Sequence, residues 1–360
     1  MHIRTTRFRT ALTGLLVSVA AAACAAPKAE TAAGPPPTPL KGVKTITVKV
    51  LALNFDPIIP QEGGKRLTEV AGWTKPRKLA DGYIADVLKA SHGIVQYKIV
   101  DWKDIDTFHT KIDGFTYTPE QYMEARKTGE GWHQPDTADY PKTFRDHNVI
   151  PRVNNGEIDE VWFFGGPYFG YNESAMAGPG AFYINGAVYD KVPTNRAFAI
   201  MGFNYERGNA EITHDLCHRT ESTMARIYGG WKVEELTNNW ARFAANAEQS
   251  GGVAAVGTCH YPPNGQSGYD YANPRAVRSD ADDWLNYPNL TGAKTLVSRD
   301  NWAEPFDNAN GQPDYHRNYM LWWFTRLPHA PGTNADGRLN NWWEYVFRFN
   351  AYDASGKPVN

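Results

Sequence analysis

Residues 160–165, Glu-Val-Trp-Phe-Phe-Gly, are the stretch that decides the fold. Val161 to Phe164 are four consecutive large apolar side chains, and successive side chains of a β-strand point to opposite faces of the sheet. A strand of this composition must be covered on both faces, which is typical of parallel sheets enclosed by helices. Similar runs rich in β-branched or aromatic residues predict three further strands, at 44–53, 95–100 and 198–203.

Helical segments alternate with these strands. They are predicted at 78–91, 119–128, 141–147 and 210–228. The last of them follows the fourth strand directly and is expected to end at Gly229-Gly230, because glycine readily adopts the conformation that terminates a helix. The alternation predicts an α/β fold, a largely parallel sheet flanked by helices.

The chain changes character after Trp231, where short aromatic segments are separated by Pro, Gly and Asn. This pattern predicts a loop-rich aromatic C-terminal cap, closed by helices at 317–326 and 340–348. We expect residues 43–360 to form a single α/β domain, with the sheet and helices in 43–230 and the cap in 231–360. Most of the 12 tryptophans and 19 tyrosines are expected to fill its core.

The N-terminus has the features of an export signal. Residues 1–23 carry three arginines and then an apolar run, which is shorter than the roughly 20 residues that cross a bilayer. Residues 21–24, Ala-Ala-Ala-Cys, resemble a bacterial lipoprotein cleavage box, although leucine is expected in place of Ala21. The resemblance implies that Cys24 becomes a lipidated first residue, and an ordinary signal-peptidase site is the alternative.

Residues 24–42 are rich in Pro and Ala and too poor in apolar bulk to pack, so they are expected to tether the domain to a membrane surface. This predicts a cell-envelope lipoprotein more than a freely secreted or periplasmic protein. The only predicted membrane contact is the lipid at Cys24. The formal net charge of -2 and the lack of a basic cluster argue against nucleic acid as a partner.

The helix at 210–228 has an unusual polar stripe. At helical spacing, Glu211, His214, Asp215, His218 and Glu221 share one face that contains no lysine. Two imidazoles and three carboxylates are the composition of a metal site or of an acid/base site. Histidines four residues apart lie one turn above each other, which allows both to bind one ion.

Residues 214–218, His-Asp-Leu-Cys-His, resemble the zincin pattern His-Glu-x-x-His. The resemblance implies that His214 and His218 bind zinc and that the carboxylate between them, Asp215, polarises a water. Aspartate is one methylene shorter than glutamate and reaches less far. Glu211 and Glu221 are therefore alternative bases or ligands, and a buried polar network without metal is the structural alternative.

A tetrahedral zinc site needs a third protein ligand, for which His260 is the first choice and Glu206 the second. Cys217 and Cys259 are expected to form a disulfide, because an isolated pair in an exported protein is more often bridged than free. The bridge would stabilise the fold by roughly 3 to 4 kcal/mol. It would also bring His260 to the helix, since each cysteine directly precedes a histidine.

The active cleft is expected beyond the carboxyl ends of the strands, where ligands bind in open α/β sheets. Those ends supply Asn54, Asp56, Asp101, the loop 165–173, Asn204, Glu206 and Arg207. Arg207 or Arg219 is expected to oppose negative charge that develops during hydrolysis. Glu173 and Glu206 are further candidates for the catalytic carboxylate.

Four segments together resemble exported bacterial proteins that have no assigned activity, so the resemblance implies no chemistry. They are Tyr205-Glu-Arg, His218-Arg-Thr-Glu-Ser, Gly257-Thr-Cys-His and Asn340-Asn-Trp-Trp-Glu. The sequence as a whole predicts an exported zinc-dependent hydrolase that acts on peptide or polysaccharide. The alternatives are a metal-free glycoside hydrolase, with carboxylates beside the aromatic residues Tyr168, Phe169 and Tyr171, and a surface protein that binds glycan or peptide without turning it over.

Overall fold

The computed structural model of the protein describes residues 37–359. The predicted signal peptide, Cys24 and most of the predicted tether therefore lie outside the described residues. Within the described part, no helix is long and apolar enough to cross a membrane.

Twelve strands occur in the described residues. In chain order they are β1 (Ile46–Phe55), β2 (Ile58–Ile59), β3 (Lys65–Arg66), β4 (Val95–Ile105), β5 (Glu160–Gly165), β6 (Ser174–Ala177), β7 (Val188–Tyr189), β8 (Phe198–Asn204), β9 (Val277–Ser279), β10 (Thr295–Val297), β11 (His329–Thr333) and β12 (Leu339–Asn341).

Nine α-helices accompany them in the same part of the chain. They are α1 (Leu67–Ala71), α2 (Pro76–Ala90), α3 (Pro119–Thr128), α4 (Tyr140–Asp146), α5 (Val149–Asn154), α6 (Asn209–Ile227), α7 (Asn239–Phe243), α8 (Tyr315–Thr325) and α9 (Trp343–Phe347).

Six of the strands form one sheet in the order β4-β1-β5-β8-β6-β7. The first four of these are parallel, β6 runs antiparallel to β8, and β7 runs parallel to β6. Helices flank the sheet, and an aromatic cap follows it in the chain. The prediction of an α/β fold with a largely parallel sheet and a C-terminal aromatic cap is confirmed.

Strand β5 shows why the apolar run decides the fold, since all six of its residues are buried. Trp162 and Phe164 pack into the core shared with α2, α6 and the cap. Val161 and Phe163 pack into a second core on the other face of the sheet, with residues of α3, α4 and α5. The strand is thus covered on both faces, as its composition requires.

The cap is held together by aromatic residues. The ring of Phe243 lies 5.2 to 5.4 Å from the rings of Trp284, Trp323 and Trp342, measured between centroids. One predicted element of the cap is wrong in part. Residues 340–348 were expected to be one helix, but their start belongs to β12, which pairs with β11, and only the short α9 follows.

Helix α6 lies between the sheet and the cap. Thirteen of its nineteen residues are buried, including three of the five in the predicted polar stripe, His214, Asp215 and Glu221. A helix with polar residues buried on one side and apolar residues on the other does not present that stripe to bulk solvent. Its polar groups must therefore find partners inside the molecule.

Candidate metal centre

The two histidines of α6 face each other. The Nε2 atoms of His214 and His218 lie 2.9 Å apart. Two bonds of about 2.0 to 2.1 Å at a tetrahedral angle would place ligating nitrogens roughly 3.4 Å apart, so a zinc ion would require a separation a few tenths of an ångström wider. In the structure as described, the two imidazoles are close enough to share a hydrogen bond.

The predicted disulfide between Cys217 and Cys259 is present, with the two Cα atoms 5.8 Å apart. It carries His260 to the helix, where the centroid of its ring lies 5.0 Å from that of His214 and 4.8 Å from that of His218. One nitrogen from each of the three rings lies within 4.8 Å of the others. This cluster could hold a metal ion.

Two observations bear on whether the cluster fits a metal. The Nε2 atom of His260 is buried and has no hydrogen-bond partner among the described residues. Buried polar atoms are nearly always satisfied, so an imidazole nitrogen without a partner, next to two others, is available to bind an ion. The donor set also suits a borderline-soft cation such as zinc. The residues therefore fit.

The outer nitrogens of the cluster are already engaged. His218 Nδ1 lies 3.4 Å from Glu221 Oε2, and Oε1 of the same carboxylate accepts a hydrogen bond from the Cys259 backbone N–H at 2.7 Å. His214 Nδ1 lies 3.0 Å from His316 Nε2. Partners of this kind fix the orientation of metal-binding histidines and leave the other nitrogen for the ion.

The environment sets the charge of these rings. Burial, together with the neighbouring His218, His316 and His260, lowers the pKa of His214 to about 2. Burial and His218 also lower the pKa of His260. For His218 burial acts in the same direction, but the hydrogen bond and charge of Glu221 outweigh it and raise the pKa. Two of the three rings are thus neutral near pH 7, the form that binds metal.

A cleft of about 560 Å³ opens beside the cluster, beyond the carboxyl ends of β5 and β8, as the sheet topology predicts. It is lined by Asp136, Gly166, Pro167, Tyr168, Phe169, Gly170, Tyr171, Glu173, Gly202, Asn204, Arg207, Glu211, Ile212, His214, Asp215, Tyr269 and His316. Asn54, Asp56 and Asp101 do not line it. Asp56 instead accepts hydrogen bonds from the backbone and side chain of Thr68.

Glu173 is the carboxylate placed nearest the inner face of the cluster among the described residues. Its Oε2 atom lies 3.9 Å from His218 Nε2, the nitrogen that faces His214. The Asn185 amide donates a hydrogen bond to the same oxygen at 2.5 Å. Glu173 therefore stands where it can reach a molecule bound at the three histidines.

Glu211 and Asp215 also line the cleft, but their environments differ. Glu211 accepts a hydrogen bond from the Gly208 backbone N–H at 3.0 Å and so caps the start of α6. Burial, and then the nearby Glu173 and Glu211, raise the pKa of Asp215 well above its ordinary value. Asp215 is therefore expected to be protonated under conditions in which an ordinary aspartate is ionised.

Other predicted residues are not brought into the cleft. The Arg219 guanidinium is completely buried, pairs with Glu160 at 2.7 Å and donates to the Val346 carbonyl at 3.0 Å. It does not line the cleft, where the predicted role in charge stabilisation would require it. Glu206 is exposed and is not among the residues that line the cleft.

Glu221 also lies outside the lining of the cleft. Both of its oxygens face groups behind the histidine cluster, namely the His218 ring and the Cys259 backbone. It lies against the outer side of His218, where it orients the ring and does not face the cleft. A second group, Cys217, Glu221 and Cys259, also has its donor atoms close together. The disulfide consumes both sulfurs, so that group offers no thiolate.

Sequence reasoning missed His316, Tyr269 and Tyr271. His316 is the second residue of α8, and its contact with His214 joins positions 102 residues apart. The Tyr271 hydroxyl donates to the Cys259 carbonyl at 2.7 Å, and its ring stacks on that of His316 with centroids 4.7 Å apart. No spacing in the sequence connects these residues to α6.

Comparison of the chain with protein-family models, with curated proteins and with solved structures gave no significant match. The function is therefore inferred from the geometry of the cleft and of the histidine cluster.

Proposed function

We propose that the protein is a metal-dependent hydrolase in which His214, His218 and His260 bind zinc. The observation that carries the proposal is the convergence of three imidazoles from two chain segments, with one buried nitrogen of His260 unpartnered. Catalytic zinc sites characteristically have three protein ligands and leave a further position for water or substrate. A zinc ion bound there would activate a water molecule and polarise the substrate bond under attack.

The surrounding residues support the proposal by their positions. Glu173 is assigned as the general base, because it is the cleft carboxylate that approaches His218 Nε2. Its carboxylate oxygen would lie next to a water bound at the three histidines and could accept the proton of that water. Arg207 lines the same cleft and would oppose negative charge that develops on a substrate oxygen during hydrolysis. Glu221 and His316 would keep the ligand rings in place from outside.

The cellular setting is part of the same proposal. The arginine-containing apolar leader and Cys24 favour an exported protein that is tethered in the cell envelope by lipid. Its substrate would then be an extracellular peptide or polysaccharide.

Replacing Glu173 with glutamine is expected to lower the rate of hydrolysis at least about a hundredfold, because the amide cannot accept the proton of the attacking water. The rate can be measured with an activated ester such as 4-nitrophenyl acetate, alongside bound zinc, which should remain at the wild-type level. Glu206→Gln is the matched control, since this exposed side chain lies outside the cleft, and it should retain the wild-type rate. Full turnover by the Glu173→Gln variant would refute the assignment.

A second candidate is a metal-free glycoside hydrolase. The observation that favours it is that Glu173 and Asp215 line one cleft, and that burial raises the pKa of Asp215. Glycosidases use one protonated and one ionised carboxyl group. Activity after treatment with a chelator distinguishes the two candidate functions, because a metal-free glycosidase would keep its activity.

A further inference from the structure

Two exposed tyrosines border the cleft in an uncommon backbone conformation. Tyr168 has φ of 60° and Tyr269 has φ of 64°, and 40% and 59% of their surfaces are exposed. Residues with bulky side chains rarely adopt the left-handed region, and they keep it only where the surrounding structure imposes it. Both aromatic rings are thus held at the cleft against a local conformational preference.

Tyr168 is held in place by contacts of both its backbone and its ring. The buried Lys111 ammonium donates a hydrogen bond to the Tyr168 carbonyl at 2.6 Å and pairs with Asp136 at 2.5 Å. The Tyr168 ring stacks on Trp132 with centroids 3.9 Å apart and planes only 10° from parallel. The loop also approaches closely at Gly170, where a Cβ atom would lie 2.6 Å from the Ala138 nitrogen. The result is a rigid aromatic surface at the rim.

Tyr269 stands beside the histidine cluster. Its backbone N–H donates to the His260 carbonyl at 2.8 Å. Its ring centroid lies 4.3 Å from that of His260 and 5.7 Å from that of His214, nearly parallel to the latter ring. A molecule that packs on the exposed part of Tyr269 would therefore lie next to the proposed metal centre.

The cleft lacks what an extended peptide would need. Gly202 and Asn204 line it, but both belong to β8, which is paired with β5 on one side and β6 on the other. The Gly202 N–H already donates to the Glu173 carbonyl at 3.1 Å. Within residues 37–359, no unpaired strand edge therefore lines the cleft for a peptide to extend.

The polar groups of the cleft favour a neutral chain. Besides Asp136, which is paired with Lys111, three carboxyl groups and one guanidinium line the cleft, those of Glu173, Glu211, Asp215 and Arg207. An anionic chain would be repelled by those carboxylates that are ionised, whereas hydroxyl groups can donate hydrogen bonds to them. The apolar face of a pyranose ring packs well on a rigid tyrosine ring, whose size and polar tip suit amphipathic ligands.

From these features we propose that the cleft binds a neutral sugar chain, with one ring on Tyr269 beside the histidines and another on Tyr168. That the bound sugar chain is a substrate, and not only a ligand, rests on the proposed function. Binding to the two tyrosines does not itself require a metal, so the two proposals can fail separately.

The test is a binding titration of the mature protein with neutral hexasaccharides of glucose, mannose and N-acetylglucosamine, and with an uncharged hexapeptide of Gly, Ser and Ala. Tryptophan fluorescence reports binding, because Trp132 lies under Tyr168. At least one sugar should bind in preference to the peptide. Tyr168→Ala and Tyr269→Ala should each weaken that binding roughly tenfold, and the phenylalanine variants should retain it.

Tyr183→Ala is the control, because Tyr183 is 61% exposed but does not line the cleft, and it should bind sugar normally. Failure of all three sugars to bind, preference for the peptide, or unchanged sugar affinity in both alanine variants would overturn the proposal. Each titration is repeated after chelation. Sugar binding by a protein that takes up no zinc, or that keeps its hydrolase activity after chelation, would support the sugar site while refuting the metal-dependent function.

Discussion

Replacing Arg219 with alanine is expected to lower the free energy of unfolding by about 3 to 5 kcal/mol. The Arg219 side chain is fully buried and Glu160 is 2% exposed, so the variant would leave a buried carboxylate without its partner. The Val346 carbonyl would lose a hydrogen bond, and the Phe347 ring would lose the guanidinium 4.7 Å from its centroid. The sequence predicts a catalytic role for Arg219, whereas its contacts join the sheet, α6 and α9.

Urea unfolding followed by tryptophan fluorescence measures this change. Arg348→Ala is the matched control, because the Arg348 side chain is 52% exposed and its pair with Glu344 should contribute at most about 1 kcal/mol. Folded Arg219→Ala protein should still bind zinc at low temperature. If Arg219→Ala left the stability unchanged but abolished hydrolysis, Arg219 would instead have the catalytic role that the sequence predicts.

Removing the disulfide, by Cys217→Ala together with Cys259→Ala, is expected to cost about 4 kcal/mol of stability on the chain-entropy model for a sequence separation of 42 residues. Alanine is preferred to serine because both positions are fully buried and a hydroxyl would need a partner. The bridge also holds the segment that carries His260. The double variant should therefore bind zinc more weakly than the wild type.

Denaturation and zinc titration are measured for the wild type with and without reductant, and for the double variant under both conditions. Reductant should destabilise the wild type to the level of the variant and leave the variant unchanged. Two free thiols in unfolded, unreduced wild-type protein would show that the bridge does not form, and would remove the physical link between His260 and α6.

The elements that the sequence predicts best are those with a strong local pattern. Predicted strand 160–165 and predicted helix 119–128 match β5 and α3 residue for residue. Each pattern is complete within the segment: continuous apolar residues for a strand covered on both faces, and a Thr118 capping box with Pro119 for the helix. The short strands β6 and β7 were not predicted, because they form only through pairing with residues distant in the sequence.

The residues of the candidate site likewise fall into those that a local sequence pattern predicts and those that only tertiary packing brings together. The spacing of His214 and His218, one helical turn apart, is a local pattern that the sequence shows directly. His260 could be predicted as well, because a disulfide between Cys217 and Cys259 brings the residue after Cys259 to the helix. His316 could not be found because its contact with His214 comes from packing of α8 on α6. The structural role of Arg219 could not be found either, since helical spacing gives the direction of a side chain but not what the next element presents to it.

The central claim, that three histidines form a zinc site, is tested most directly by the metal content of protein purified without chelators and then equilibrated with zinc. Inductively coupled plasma mass spectrometry should find one zinc per wild-type chain. His214→Ala and His260→Ala should each lose it, while His92→Ala should keep it, because the His92 ring stacks on His329 away from the cluster. A wild-type protein without bound zinc, or stoichiometric zinc in both cluster variants, would contradict the claim.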